Sequence, residues 1–512
     1  MTKRNTHTIS ILVVVLLSAA WTPLSNGQAT KSAQKSNAQG GIVARPEELK
    51  YPTLNYTPPK RNAYRHVLAN GTVAYLVEDH DFPLINVSLV VRTGKYLEPK
   101  GKEGLASLTG AQMRAGGTTT KTAEQFDEAA DFLAATISSS VGETQGSAAL
   151  NCLSKEIDKG LALFFEMLKT PGFQQERLAL AKSQILQGME RRNDRTDAIE
   201  SREWDRLMHG DDFFTTRDST KASIDSITRE DLIAFHKKYF QPGGFIFAVS
   251  GDFKTDEMIG KLNTAMGGWE VSKEAVPPVP KPDHTPTPGL YAVHKADVNQ
   301  GRVSIGHVGI VRDNPDNYAI NIMDDILGAG GFTSRIVSRV RSDEGLAYSV
   351  NSNFGFGTYY PGTFRASFQS KSSTCAQAAA IILEEIDKIR TSPVSKEEFD
   401  TAVNQAVEVF SRSFATAGQI AGTFARDEYT HRAPDYWDTY RQRTKAVTIE
   451  DVSRVAKQYL HPDQLVILVV GNIDDIAKGN TDKPQYSLTK LAKDGQIHRI
   501  PLPDPLTMVY PK

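Results

Sequence analysis

The sequence predicts an α+β fold: a tandem duplication of an α/β sandwich domain, helices lying on a mixed, mainly antiparallel sheet. Three observations predict it. ITREDLIAFHKKYFQPGGFIFAVSGDFK at 227–254 aligns without gaps on VTIEDVSRVAKQYLHPDQLVILVVGNID at 447–474. The identities include Thr228/Thr448, Glu230/Glu450, Asp231/Asp451, Tyr239/Tyr459, Pro242/Pro462 and Gly251/Gly471, far more than composition alone supplies. AGGTTT at 115–120 returns, in the same order, as AGGFTS at 329–334, so a whole domain is repeated rather than a short solenoid unit. Between the copies lies VPPVPKPDHTPTPG, residues 276–289, whose six prolines bar it from a helix interior or a central strand.

Each stretch can be justified in chain order. Lys3 and Arg4 precede an apolar run from Ile11 to Ala20, too short as a helix to span a bilayer. Ser25 and Gly27 then offer small residues at a cleavage site, so residues 1–27 read as a secretory signal peptide and Gln28 as the new N-terminus. Residues 28–57, rich in Gln, Ser, Ala, Gly and Pro, read as a flexible leader. Within the first copy, residues 58–275, the patterns predict a strand from Ile85 to Arg92 and helices over 104–115, 126–135 and 154–168. Thr228 before Glu230 and Asp231 predicts an N-capped helix that Pro242 ends, followed by a short strand from Phe245 to Val249. The second copy, residues 290–478, repeats this ending, and residues 479–512 read as a polar C-terminal tail.

Composition closes several routes. With 59 basic and 60 acidic residues the balance gives no electrostatic case for nucleic acid. Two cysteines exclude a disulfide scaffold or a cysteine-rich metal cluster, and Cys152 and Cys375 read as free apolar thiols. No later stretch is apolar enough to span a membrane. There is no G-x-S-x-G elbow, no phosphate-binding P-loop and no dinucleotide fingerprint. Among the 11 histidines no two stand one helical turn apart, the closest pair being His284 and His294. His236 and His461 read as ordinary surface or satisfied histidines, Asp324 and Asp325 as helix surface, and Gly328, Gly330 and Gly331 as a tight turn.

The duplicated halves, with their repeated T-x-E-D…Y…P…V-x-G signature, resemble the insulinase/pitrilysin family of zinc metallopeptidases over about residues 58–478. The resemblance implies an inverted zinc motif, H-x-x-E-H, on a helix of the first copy: two histidines to bind the metal, the glutamate to activate water, and a distant Glu as third protein ligand. This chain departs from that pattern. GLASLTGAQMRAGGT at 104–118 takes the motif's place, with Ser107 and Ala111 at the histidine positions and Gly110 at the glutamate position. Where the distal ligand belongs, the chain offers Gln187 and Gly188, with Glu190 out of register. No metal or cofactor is expected in this chain.

One pair matches. In SRVRSDEGLAYSV, Arg341 and Tyr348 stand on the step from a helix near 334–342 into a strand near 347–355. On spacing alone, the commoner arrangement is Arg341 in a surface ion pair with Asp343 or Glu344 and Tyr348 in the core. The family resemblance implies instead a pair that holds the substrate backbone and stabilises its developing oxyanion. It further implies a non-catalytic subunit, one half of a clamshell, whose homologous H-x-x-E-H-bearing partner carries zinc and the general base for peptide substrates. With the signal peptide, the expected compartment is the periplasm. Two alternatives stay open: a peptide-binding or scaffold protein with no hydrolytic role, and a free-standing metalloprotease with an atypical metal site.

Overall fold

Thr228 and Thr448 open their helices in the same way. Each side chain accepts from the backbone N–H three residues on, and Asp231 or Asp451 reaches back to the threonine's own N–H, closing a capping box. Two orphan donors are thereby satisfied at each helix start. The helices run Arg229–Tyr239 and Ile449–Tyr459, each followed by a proline-led turn and a fully buried strand.

The structure, a computed structural model, describes residues 56–269 and 274–511. The signal peptide and nearly all of the leader lie outside the described residues. The first half contains strands β1 (Arg65–Val67), β2 (Val73–Glu78), β3 (Leu84–Val91), β4 (Thr136–Val141), β5 (Gly146–Leu153) and β6 (Phe245–Gly251). Its helices are α1 (Leu105–Ala115), α2 (Ala123–Phe132), α3 (Ile157–Lys169), α4 (Gln175–Glu190), α5 (Thr196–His209), α6 (Lys221–Ser226), α7 (Arg229–Tyr239) and α8 (Thr255–Met266). The second half contains β7 (Gly289–His294), β8 (Gln300–Val308), β9 (Ile310–Val311), β10 (Val350–Phe354), β11 (Phe356–Gly357), β12 (Thr363–Lys371), β13 (Val466–Gly471) and β14 (Ile497–Ile500). Its helices are α9 (Asn317–Asp324), α10 (Arg335–Val337), α11 (Cys375–Thr391), α12 (Lys396–Val409), α13 (Ala417–Tyr429), α14 (Tyr436–Lys445), α15 (Ile449–Tyr459), α16 (Ile473–Lys478) and α17 (Leu488–Leu491).

The two six-stranded sheets are ordered β1-β2-β6-β3-β5-β4 and β14-β7-β13-β8-β12-β10. Matched position by position, every pairing agrees in direction except at one edge, where β1 is antiparallel to β2 but β14 is parallel to β7. The expected duplicated α+β fold holds. The edge strand that the first half draws from its own N-terminal end, the second draws from segment 479–512. Beyond β14 that segment crosses to the first half, where Leu506 O accepts from Lys221 N at 2.7 Å, Asn193 Nδ2 donates to Pro503 O at 2.8 Å and Tyr510 Oη donates to Glu203 at 2.8 Å. Residues 274–288 form no helix or strand.

Alternation along the central strands explains how both sheet faces are filled. On β6, Phe245, Phe247 and Val249 face a core built with Leu105, Leu161, Phe164 and Leu232 of their own half. Ile246 and Ala248 face the other way, onto Phe414, Ala421, Phe424 and Ala425, largely from α13 of the second half. β13 mirrors this: Ile467 and Val469 join their own half's core, while Val466, Leu468 and Val470 pack on Ile199, Trp204 and Met208 of α5 from the first half. Each half therefore lends one helix to the other's sheet.

Two boundaries differ from the sequence reading. The helix expected over 126–135 runs Ala123–Phe132, because a Thr122–Gln125 capping box starts it early and Ala134, at φ 48°, turns the chain away. The helix expected over 334–342 is one α-turn, α10, that continues as a π-helical turn over Ser338–Asp343, and the following strand waits until Val350. Cys152 and Cys375 are both free and buried.

Candidate functional site

The π-helical turn is anchored by Val340, which is fully buried, and it closes when Leu346 N donates to Val340 O at 2.8 Å. Arg341 is presented from its outer side. The guanidinium lies 4.4 Å from the Tyr348 ring centroid and 4.5 Å from that of Phe332. Both rings are open to solvent, Tyr348 at 82% and Phe332 at 67% exposure. Phe332 arrives through the glycine turn, in which Gly331 takes φ +68°, the left-handed region that favours glycine. The cation is thus stacked between two aromatic faces, a contact worth about 0.5–1 kcal/mol at an exposed site.

Tyr348 is not a core residue, and the expected ion pair is absent. Among the described residues no carboxylate lies within ion-pair distance of Arg341, while Glu344 is occupied by Lys483 at 2.8 Å and by Gln377 Nε2 at 3.0 Å. Stacking fixes the plane of the guanidinium and leaves its N–H edge without a protein acceptor among the described residues. A fixed fork of donors beside a phenol suits a carbonyl or carboxylate oxygen. The sequence reading missed Phe332. Its only signal was a large apolar side chain placed directly after Gly330-Gly331, where no core could receive it.

The face of α1 at the zinc-motif positions is equally explicit. Ser107 is exposed and donates to Gly104 O at 3.1 Å, and Ala111 is exposed beside it. Gly110 is buried against β4: a Cβ there would stand 2.3 Å from Val141 N and 2.5 Å from Ser140 C. No side chain, least of all a glutamate, fits at that position with α1 this close to β4. Gln187, Gly188 and Glu190 are exposed on α4. Among the described residues no group of three His, Cys, Asp or Glu side chains could hold a metal ion. The residues present do not fit a zinc site.

The acidic pair beside the glycine turn differs from the surface reading. Asp324 is buried, accepting from Ser352 Oγ at 2.5 Å and Phe354 N at 2.6 Å, so it ties α9 to β10. Burial pushes its carboxyl up to about 6, and that of half-buried Asp325 up to about 7, where the Asp324 charge adds to desolvation. His236 is buried with Nε2 2.8 Å from Leu168 O, and burial lowers it to about 4. His307, likewise buried and lowered to about 4, binds Val308 O through Nδ1 and accepts from His461 N through Nε2. Both buried histidines are satisfied neutral groups.

Residues 226–406 match the family model described as "Peptidase M16 inactive domain". The non-peptidase homolog YmxG of Helicobacter pylori is 24% identical over 405 residues, covering 77% of this chain and 90% of that protein. The crystal structure of a peptidase M16 inactive domain from Pseudomonas fluorescens superposes with a TM-score of 0.71 at 23% identity, over 80% of this chain and 97% of that one. The periplasmic protease PqqL from Escherichia coli superposes with a TM-score of 0.67 at 16% identity, over 79% of this chain and 45% of that one. These structural likenesses carry the fold.

Proposed function

We infer, from the premise that this chain is an inactive homologue of the M16 (insulinase/pitrilysin) peptidases, that it serves as the non-catalytic subunit of an extracytoplasmic heteromeric zinc peptidase. One observation carries the reading: Arg341, stacked between Tyr348 and Phe332, presents its donors to solvent with no carboxylate among the described residues to neutralise it, while the α1 face that would hold a metal carries Ser107 and Ala111. In this reading a homologous H-x-x-E-H-bearing partner supplies zinc and the general base. This chain closes the other half of the clamshell, Arg341 and Tyr348 hold the peptide backbone, and their donors meet the carbonyl oxygen as it gains negative charge. Among the described residues no helix is long and apolar enough to cross a membrane. The periplasm is the compartment proposed, on the charged and apolar N-terminal pattern of residues 1–27.

Co-expression with an H-x-x-E-H-bearing homologue tests it. The two chains are expected to elute together and to hydrolyse peptides that neither cleaves alone. In a water-excluded chamber, loss of one oxyanion donor costs about 10²–10³ in rate. Tyr348→Phe and Arg341→Ala are each expected to lower kcat/KM at least about tenfold with assembly and Tm little changed. Separate elution at micromolar concentration, or full activity of an assembled Tyr348→Phe complex, would count against it. The name of the Helicobacter relative favours a second reading, a peptide-binding or scaffold protein without a hydrolytic role. That reading predicts a stable complex whose peptide hydrolysis is indifferent to both substitutions.

A further inference from the structure

The outer face of the second sheet changes character from strand to strand. On β13 it is apolar and covered, Val466, Leu468 and Val470 lying under α5. One and two strands further out, α5 reaches it through Glu200, which accepts from Ser304 Oγ at 2.5 Å and pairs with Arg365 at 3.0 Å and Arg302 at 3.5 Å, and through Trp204, whose ring centroid lies 5.1 Å from the Arg365 guanidinium. Beyond that belt no described residue covers Asn351 or Asn353, both of which are exposed. Asn351 and Asn353 of β10 and Thr363 and Ser367 of β12 floor a cavity of about 900 Å³ walled by α5 and the 215–218 loop.

Three features indicate the occupant. Asn351 pairs across the sheet with Ser367 and Asn353 with Arg365. The two rungs are two residues apart, about 7 Å, the same repeat as the same-side amides of an extended chain. Donors are also left over. Arg302 Nε, Arg202 Nη2 and Thr215 Oγ1, on three residues that line the cavity, are buried without a hydrogen-bond partner among the described residues. Buried groups of that kind ordinarily find a partner. Glu203 meets Arg202, and Glu200 is shared between Arg302 and Arg365, which leaves one positive charge over; Glu143 and Asp218, lining the cavity with no ion pair among the described residues, outweigh it. The site therefore suits carbonyl oxygens and repels anions. Finally, exposed Tyr348 and Ser349 lead directly into β10, so Asn351 lies within about 10 Å of the clamp tyrosine.

We propose that this trough is a second peptide-binding site, seating the backbone of an extended, neutral or basic polypeptide segment across Asn351, Asn353 and Arg365. It rests on the reading above only in taking polypeptide as the ligand, and it needs no partner subunit.

The test uses the full chain alone with fluorescein-labelled, reduced and carboxamidomethylated ribonuclease A, an unfolded basic polypeptide, followed by anisotropy. Wild-type chain is expected to bind it and to gain amide protection over 198–209 and 350–367 in hydrogen exchange. The exposed double variant Asn351→Ala/Asn353→Ala is expected to bind at least about tenfold more weakly with unchanged Tm, and Arg341→Ala to change affinity far less. Absence of binding by wild-type chain, unaltered affinity of the double variant, or displacement by maltoheptaose but not by unlabelled polypeptide would each overturn the proposal. Loss of probe binding in the double variant, alongside clamp variants that leave the assembled enzyme fully active, would overturn the oxyanion role and uphold the trough.

Discussion

Gly110 shows how one missing side chain holds an element in place. Its hydrogen sits where a Cβ would press on the backbone of β4, so Gly110→Ala forces the helix and strand apart. Overpacking of this kind costs about 1–3 kcal/mol, and urea unfolding of Gly110→Ala is expected to report such a loss. Ser107→Ala, on the exposed face of the same helix, is expected to stay within about 0.5 kcal/mol. Asp325 carries a pH dependence. Its folded pKa, about 7, lies above the ordinary carboxylate value of 3.8, so the folded chain binds more protons between those values and loses stability as pH rises through that window. Asp325→Asn is thus expected to raise Tm at pH 8 and to change it little near pH 4, and equal effects at the two values would refute the assignment. His236 and His307, lowered to about 4, act oppositely, losing stability as pH falls below about 6.5. The absent zinc motif was legible in the sequence because ligand chemistry depends on residue type at fixed spacing. The burial of Asp324 was not, because it is set by Ser352 and Phe354 on a distant strand.

At the scale of elements, the repeated Thr-x-x-Asp start was legible for a local reason: a capping box is written in four consecutive residues. Thr448→Ala removes the acceptor for Asp451 N, and the expected cost is about 1 kcal/mol, measurable by chemical denaturation. An unchanged midpoint would mean that the cap is redundant with the packing of α15. The same kind of signal, Thr122 with Gln125, marks the true start of α2, which apolar periodicity alone places at Phe126. The π-helical turn that presents Arg341 had no such mark. Its register follows from burying Val340 while Gly345, at φ +62°, reverses the chain, and neither depends on a local sequence pattern. The Arg341–Tyr348 pair was therefore visible as residues, but its third member and its stacked geometry were not.

At the scale of the molecule, residues 497–511 join the halves. They complete the second sheet as β14 and then bind α5, α6 and the loop before α5, with the Arg206 guanidinium 3.9 Å from the Tyr510 ring centroid. Truncation after Gln496 strips the edge of β7 and removes at least three side-chain and backbone hydrogen bonds to the first half. At about 1 kcal/mol each, the expected loss is at least about 3 kcal/mol, read as a lower midpoint in urea. A truncated chain as stable as the full one would show that the strap only decorates the surface. Composition had marked this segment as polar and proline-punctuated, which is true of its residues and silent on its pairing.

The exchange of α5 and α13 has a consequence that reaches behind the duplication itself. A single ancestral copy would have carried one apolar sheet face with no cover and one apolar helix with no sheet of its own. Water tolerates neither. Such a unit is satisfied only by a sibling that makes the same trade, which is a twofold-symmetric, helix-swapped homodimer. Fusing the two siblings into one chain keeps that handshake and frees each copy from having to match the other. One half can then drift at an exposed helix face while the other elaborates an arginine between two rings, with the mutual embrace of helices unchanged.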